Sequence, residues 1–352
     1  MYNNLLTEVE KATFSKYKRV IVWGFPLNTH THSYIHAMWI KVFSIGFGKE
    51  THWFHDNEFP QDFDFNDSIF ITEGYADNKI PVVASSAYFV HNAISPEKYL
   101  NKNARLIEIR FNVNEIHDIN NDFKLDDGTH SNLIELSPHA KYEKLVSNKD
   151  IHASKRGGEI KLMDYECIYI YWATDLLPHE FNYDDIQIEK EKTVYYIGSP
   201  GNSINYVNFA NACIKNGIQW VRSNPWNTPL TFEQNQQLMQ KSILCPDFRP
   251  TGTQQDTNEF GVKNGKNHLE IGYLPCRVLK AISYGQLGIT DSIHVKKILG
   301  EHVLHADNME TLFTTAMTER VNYPRIRTAM EYVQHNHTYV NRVIELIRAL
   351  RQ

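Results

Sequence analysis

Long apolar runs are missing from this 352-residue chain, a strong excess of either charge is missing too, and cysteine is sparse. No segment stays apolar for the length that a bilayer crossing needs. Met1 to Lys18 mixes polar and charged residues where a signal peptide has an apolar core, so a cytoplasmic protein with no integral membrane segment is expected. Lys plus Arg number 36 against 41 Asp plus Glu, giving a formal net charge of −5. No basic block is available to neutralise a phosphate backbone, which argues against nucleic acid as a partner. The four cysteines, Cys167, Cys213, Cys245 and Cys276, are too widely spread for paired zinc spacing or a disulfide framework, so reduced thiols are expected.

What is present is an alternation of strand-length apolar runs with helical stretches, the pattern of a mostly parallel sheet with helices on both faces. In the first half the expected strands are Arg19–Trp23, Glu50–His55, Ser68–Thr72, Val82–Ser85, Leu106–Arg110 and Ile168–Trp172, with a helix over Ser33–Ile45. The charged stretch Asp184–Lys192 has no helical apolar stripe and is the expected linker. A second series follows: strand Thr193–Ile197, helix Asn205–Asn216, strand Ile218–Val221, helix Phe232–Lys241 and strand Ile243–Cys245. The polar segment Arg249–Ile271 has a length at which loops are usually functional or disordered. Beyond it a helix from Pro275 is stopped by Gly285, strands are expected at Leu287–Thr290 and within Leu299–Ala306, and helices over Asn308–Arg320 and Tyr323–Leu350 close the chain. The expected fold class is α/β, with two Rossmann-like domains, residues 1–185 and 186–352, facing across a cleft and the last helix able to cross back to the first domain.

Ligands of open α/β sheets gather beyond the carboxyl ends of the strands. The first strand is followed by Gly24-Phe-Pro-Leu-Asn-Thr-His-Thr-His-Ser33, which places Asn28, His30 and His32 there. An imidazole titrating near about 6.5 can accept a proton from a hydroxyl at neutral pH, and a hydrogen-bonded loop histidine is the plainer alternative. His30-x-His32 has no Cys or carboxylate partner at matching spacing, so no metal is expected. Glu73 ends one strand and Asp175 follows another, making them competing carboxylate bases; Asp175 serves equally well as a helix cap or hinge.

In the second half, Gly198-Ser199-Pro200-Gly201 either lets the backbone approach a ligand or makes an ordinary turn. Arg222 suits a phosphate or a base edge, or else a surface ion pair. Asp247 suits a sugar hydroxyl and Phe248 a nucleobase, unless both belong to a simple strand exit. Gly272-Tyr273-Leu274-Pro275 leads into a helix whose first turn carries Arg277, with Lys280 three residues on. Its unpaired amides and partial positive charge, with the fixed charge of Arg277, suit a diphosphate; an amphipathic helix with both cations in solvent is the competing reading.

Three segments together make the second half resemble the C-terminal domain of GT-B glycosyltransferases, especially spore-maturation-type and family-1-like members: Tyr196-Ile-Gly-Ser-Pro-Gly201, Arg277-Val-Leu-Lys-Ala-Ile-Ser-Tyr-Gly-Gln-Leu-Gly-Ile-Thr-Asp291 and His335-Asn-His-Thr-Tyr-Val-Asn-Arg342. The resemblance implies a nucleoside-diphosphate-sugar donor bound mainly by the second half, where the expected contacts are Gly198, Ser199, Gly201, Arg222, Asp247, Phe248, Gly272, Tyr273, Leu274, Arg277 and Lys280. It implies an acceptor bound mainly by the first half and no obligatory metal; taken with the strand-end residues above, a glycan acceptor is expected near Asn28 and His30, catalysis at His32, Glu73 or Asp175, and no cofactor. Lys280 stands where many retaining members carry a glutamate, so inverting in-line transfer is the expected course. A nucleotide-sugar epimerase of the same fold and a catalytically silent sugar-binding subunit of a glycan-assembly complex are the alternatives.

Overall fold

The computed structural model describes residues 1–28, 32–55, 58–111, 130–146, 165–186, 190–198, 200, 203–223, 227–248 and 273–352. His30, Ser199, Gly201, Gly272 and the polar segment 249–271 lie outside the described residues. The chain is mixed α/β and divides into two compact units, Met1–Tyr171 with Val340–Gln352, and Trp172–Tyr339. Among the described residues no helix is long and apolar enough to cross a membrane.

The first unit opens with α1 (Glu8–Ser15), set by a capping box in which the Thr7 hydroxyl accepts from the Glu10 N–H and the Glu10 carboxylate accepts from the Thr7 N–H. An eight-stranded sheet follows, built from β1 (Arg19–Trp23), β2 (Glu50–Phe54), β3 (Ser68–Glu73), β4 (Ala87–His91), β5 (Arg105–Arg110), β6 (His130–Ser137), β7 (Ala140–Val146) and β8 (Tyr165–Ile170), in the order β2-β1-β3-β4-β5-β8-β7-β6. The pairings from β2 through β8 are parallel, and β7 and β6 add an antiparallel hairpin at the far edge. All six residues of β3 are buried and so are Val20–Trp23 of β1, as expected of central parallel strands covered on both faces. Trp23, Phe54, Phe65, Phe70 and Tyr88 share one core cluster. Each such ring contributes roughly 2–3 kcal/mol by leaving water.

Parallel strands bring their carboxyl ends to one edge of the sheet. Because β1 lies between β2 and β3, the chain leaves it toward one neighbour and returns later on the other side, which makes the carboxyl ends of β1 and β3 the topological switch point. Helix α2 (Ser33–Lys41) starts there and runs into a π-helical turn at Val42–Gly46, and a single turn, α3 (Glu97–Leu100), precedes β5.

Two first-half expectations are corrected. Val82–Ser85 is not a strand; the fourth strand lies further on, at Ala87–His91. Other bonds have taken the backbone groups that a ladder would need: Tyr88 Oη accepts from the Val83 N–H and donates to the Pro81 carbonyl, both at 2.9 Å, and the Val83 carbonyl accepts from the Ser86 N–H at 3.2 Å in a turn. The β6–β7 hairpin was not expected, because Glu135 on the edge strand β6 and Lys141, Glu143 and Lys144 on β7 interrupt any continuous apolar run.

The second unit carries β9 (Thr193–Ile197), α4 (Ile204–Lys215), β10 (Gln219–Ser223), α5 (Phe232–Lys241), β11 (Pro246–Asp247), α6 (Cys276–Ser283), β12 (Gly288–Thr290), α7 (Ile293–Leu299), β13 (Val303–His305), α8 (Met309–Glu319) and α9 (Tyr323–Asn336). Among the described residues its strand pairings are parallel, β10 with β9 and β11-β12-β13 in turn. Ile243 N–H donates to the Thr193 carbonyl at 2.9 Å, so the stretch leading into β11 runs beside β9. Ser203, Thr231, Ser292 and Asn308 cap α4, α5, α7 and α8 through their side-chain oxygens. Helix α6 ends before Gly285, whose φ of 80° suits glycine. The single helix expected over Tyr323–Leu350 is two, α9 and α10 (Tyr339–Leu350). At the break the Thr174 N–H takes the His337 carbonyl at 3.0 Å. Helix α10 is anchored in the first unit, where the fully buried Arg342 donates from Nε to the Tyr171 carbonyl at 2.7 Å.

Candidate functional site

At the switch point of the first unit, Glu73 closes β3 with 8% of its surface exposed. Three imidazoles surround its carboxylate. His32, the N-cap of α2, places Nδ1 3.0 Å from Oε1; His36, one turn on, places Nε2 3.3 Å from the same oxygen; His91, the last residue of β4, places Nδ1 2.7 Å from Oε2. The i, i+4 spacing of His32 and His36 puts both on one face of α2. Parallel register pairs Glu73 with His91.

The main chain settles one proton. Phe25 N–H donates to His36 Nδ1 at 3.1 Å, so Nδ1 is an acceptor and the ring hydrogen sits on Nε2, facing Glu73. Gly24 makes this approach possible, since a Cβ there would stand 2.0 Å from His36 Cε1. The Phe25 ring lies 6.0 Å from the His36 ring and 4.3 Å from the Tyr75 ring, stacked on both.

Burial by itself would raise the Glu73 pKa, but the neighbouring His91 and His32 charges and the hydrogen bonds from His32 and His36 outweigh it and hold the carboxyl well below its usual range. Burial would likewise lower His32, and the adjacent Glu73 carboxylate reverses this and raises it. With Nδ1 directed at Glu73, His32 presents Nε2 as its other ring atom. Asn28 is exposed at φ 69°, and its Oδ1 accepts from Tyr34 Oη at 2.9 Å.

In the second unit Arg277 stands in the first turn of α6, beside the carboxyl ends of β9 and β11. Nη1 donates to Tyr196 Oη at 2.6 Å and lies 3.3 Å from Oδ1 of the fully buried Asp247; the guanidinium carbon sits 4.6 Å from the centre of the Tyr196 ring. Gly198, at φ 112°, lets the guanidinium come close, for a Cβ there would stand 2.4 Å from Nη2. Phe248 is 1% exposed and lies parallel to Tyr196, so its ring is core. Leu274 is fully buried, Tyr273 is half-buried and Arg222 is exposed.

Lys280 and Arg277 turn to different partners. Lys280 Nζ pairs with Asp175 Oδ2 at 2.9 Å, and Tyr284 Oη donates to the same carboxylate at 2.6 Å. Asp175 is 4% exposed. The first unit therefore gathers His32 and Glu73, and the second gathers Asp175 with Lys280 and Arg277 with Asp247.

His36 and His91 were not among the sequence candidates. An His-x-x-x-His pattern from His32 to His36 was available as a signal. His91 was hidden because the strand it closes was expected several residues earlier. No protein-family model matches the chain, and no curated protein matches it.

Proposed function

We propose that the chain is a cytoplasmic glycosyltransferase of GT-B type that moves a hexose or deoxyhexose from a nucleoside-diphosphate sugar to a glycan hydroxyl. The observation that carries the reading is Arg277: a guanidinium oriented by Tyr196 and Asp247, beside the glycine backbone at Gly198, at the carboxyl ends of parallel strands. That is where an α/β sheet receives a phosphate, and a fixed cation there stabilises the charge of a departing diphosphate.

On this reading the second unit takes the donor and the first takes the acceptor. His32, held at Nδ1 by Glu73, receives the acceptor hydroxyl proton on Nε2 as the oxygen attacks the anomeric carbon; the bond from that carbon to the diphosphate oxygen breaks, and the configuration inverts. Asp175, tied to Lys280 and Tyr284, has a supporting role instead of the proton-accepting one.

The test is a thermal-shift panel of UDP, GDP, CDP and TDP at millimolar concentration, since a ligand that binds only the folded chain raises its melting point. One nucleotide is expected to stabilise the protein, and Arg277→Gln to abolish that response. A flat response to all four would sink the donor site. Nucleotide-sugar hydrolysis with epimer formation and no acceptor dependence would move the assignment to the epimerase.

A further inference from the structure

We propose that His32, Glu73 and His91 bind a divalent transition-metal ion, with zinc the natural redox-inactive occupant. One ligand atom from each lies within 4.8 Å of the others. The inference stands on the geometry of the first unit alone and does not rest on the transferase reading.

The separations are close to those of ligands around one ion. Donor atoms held about 2.1 Å from zinc stand roughly 3.4 Å from one another at its tetrahedral angle, so side-chain pairs at 3.0 and 2.7 Å have only to open by a few tenths of an ångström to admit one. His32 Nδ1 lies 3.0 Å from one Glu73 oxygen and His91 Nδ1 lies 2.7 Å from the other, so each imidazole faces its own carboxylate oxygen. The residues come from three separate elements, the start of α2 and the ends of β3 and β4, and the sheet register fixes two of them as neighbours.

The donor set is selective. Two imidazole nitrogens and one carboxylate suit zinc, cobalt or iron with coordination positions left over, whereas calcium and magnesium favour all-oxygen surroundings. An outer shell is also in place. His36 Nε2–H, set by the Phe25 N–H, steadies Oε1, and the Asn92 side-chain amide lies 3.1 Å from His91 Nε2. Turning that amide over offers an oxygen to the Nε2–H that His91 carries once Nδ1 is bound to metal. His32 and His91 keep 22% and 15% of their side-chain surface exposed, which leaves a way in for an ion.

Occupation has a consequence for His32. A neutral imidazole bound through Nδ1 carries its hydrogen on Nε2, so it cannot accept a proton there. Metal loading and proton acceptance by His32 are therefore alternative states of one site, and zinc is expected to suppress any activity that uses His32 as base.

The experiment uses the full chain, stripped with a chelator and titrated calorimetrically with Zn²⁺, then with Co²⁺ followed by its visible absorption. One ion per chain is expected, with a cobalt spectrum showing nitrogen ligation. His91→Ala and Glu73→Gln should each weaken binding more than tenfold. His52→Ala, which removes the separate His52–Glu50 pair at 2.6 Å, should leave the titration unchanged. No saturable binding, or binding that both His91→Ala and Glu73→Gln leave intact, overturns the proposal. If Glu73→Gln does not fold, His91→Ala decides alone, and melting curves verify its fold. Nucleotide stabilisation through Arg277 is read separately, so failure of the metal site and failure of the donor site are distinct results.

Discussion

Gly24 and His36 are in contact so close that residue 24 has no room for a methyl group: a Cβ would stand 2.0 Å from Cε1 of the imidazole. Gly24→Ala must push the ring away from Glu73 or shift β1. Overpacking of this kind costs about 1–3 kcal/mol, to be read from urea unfolding. His36→Ala in the same chain should recover part of the loss, because the two changes act on one contact. Strictly additive losses would show that the contact is not the cause.

A similar argument applies at Gly198, where a Cβ would lie 2.4 Å from Arg277 Nη2 and φ is 112°. Gly198→Ala is expected to displace the guanidinium from Tyr196 and to abolish the nucleotide-induced thermal shift, as Arg277→Gln does. An alanine variant that responds to nucleotide like the parent chain would remove Arg277 from the donor site.

Asp175→Asn leaves the Lys280 ammonium, 14% exposed, without its carboxylate. Breaking a buried pair from one side costs about 3 kcal/mol or more, because the remaining charge is still desolvated. Lys280→Met added to Asp175→Asn should restore much of that stability. Chemical denaturation of the single and double variants measures both effects, and a single variant as stable as the parent would contradict the supporting role of Asp175.

Acid sensitivity has an identifiable contributor in His139. Burial first, and the nearby Arg342 charge second, push its pKa down to about 4 from 6.5. The unfolded chain therefore takes up a proton below pH 6.5 that the folded chain refuses until about pH 4. Stability from this group is complete above the unfolded value and is lost as the pH falls between the two. Solvent reaches part of this half-buried ring and screens the charge, so the loss is on the order of 2 kcal/mol. His139→Gln should flatten that part of the stability–pH curve measured by urea unfolding; an unchanged curve would refute the assignment.

Periodicity alone located the parallel framework. Arg19–Trp23, Thr193–Ile197 and Phe232–Lys241 are found at their expected bounds, because buried parallel strands are unbroken apolar runs and capped amphipathic helices keep their period. Elements governed by side-chain hydrogen bonds escaped. Tyr88 claims the backbone on either side of Val82, and the Thr174–His337 bond marks a helix break that Tyr323–Leu350 does not announce in its apolar pattern. In the candidate site, strand ends pointed to Glu73 and His32, while His91 required the register of β4 against β3. Lys280 shows a further boundary: three-residue spacing places it on the Arg277 side of a helix, but the choice of Asp175 as its partner depends on chain far away in sequence.

The hydrogen bond from Phe25 N–H to His36 Nδ1 gives position 25 an unusual kind of constraint. Every amino acid except proline supplies that amide hydrogen, so the proton location on His36 is insensitive to the name of residue 25 and sensitive only to the path of its backbone. An inventory of side chains would miss the dependence altogether, because the group that orders this histidine is one that nineteen of the twenty amino acids share.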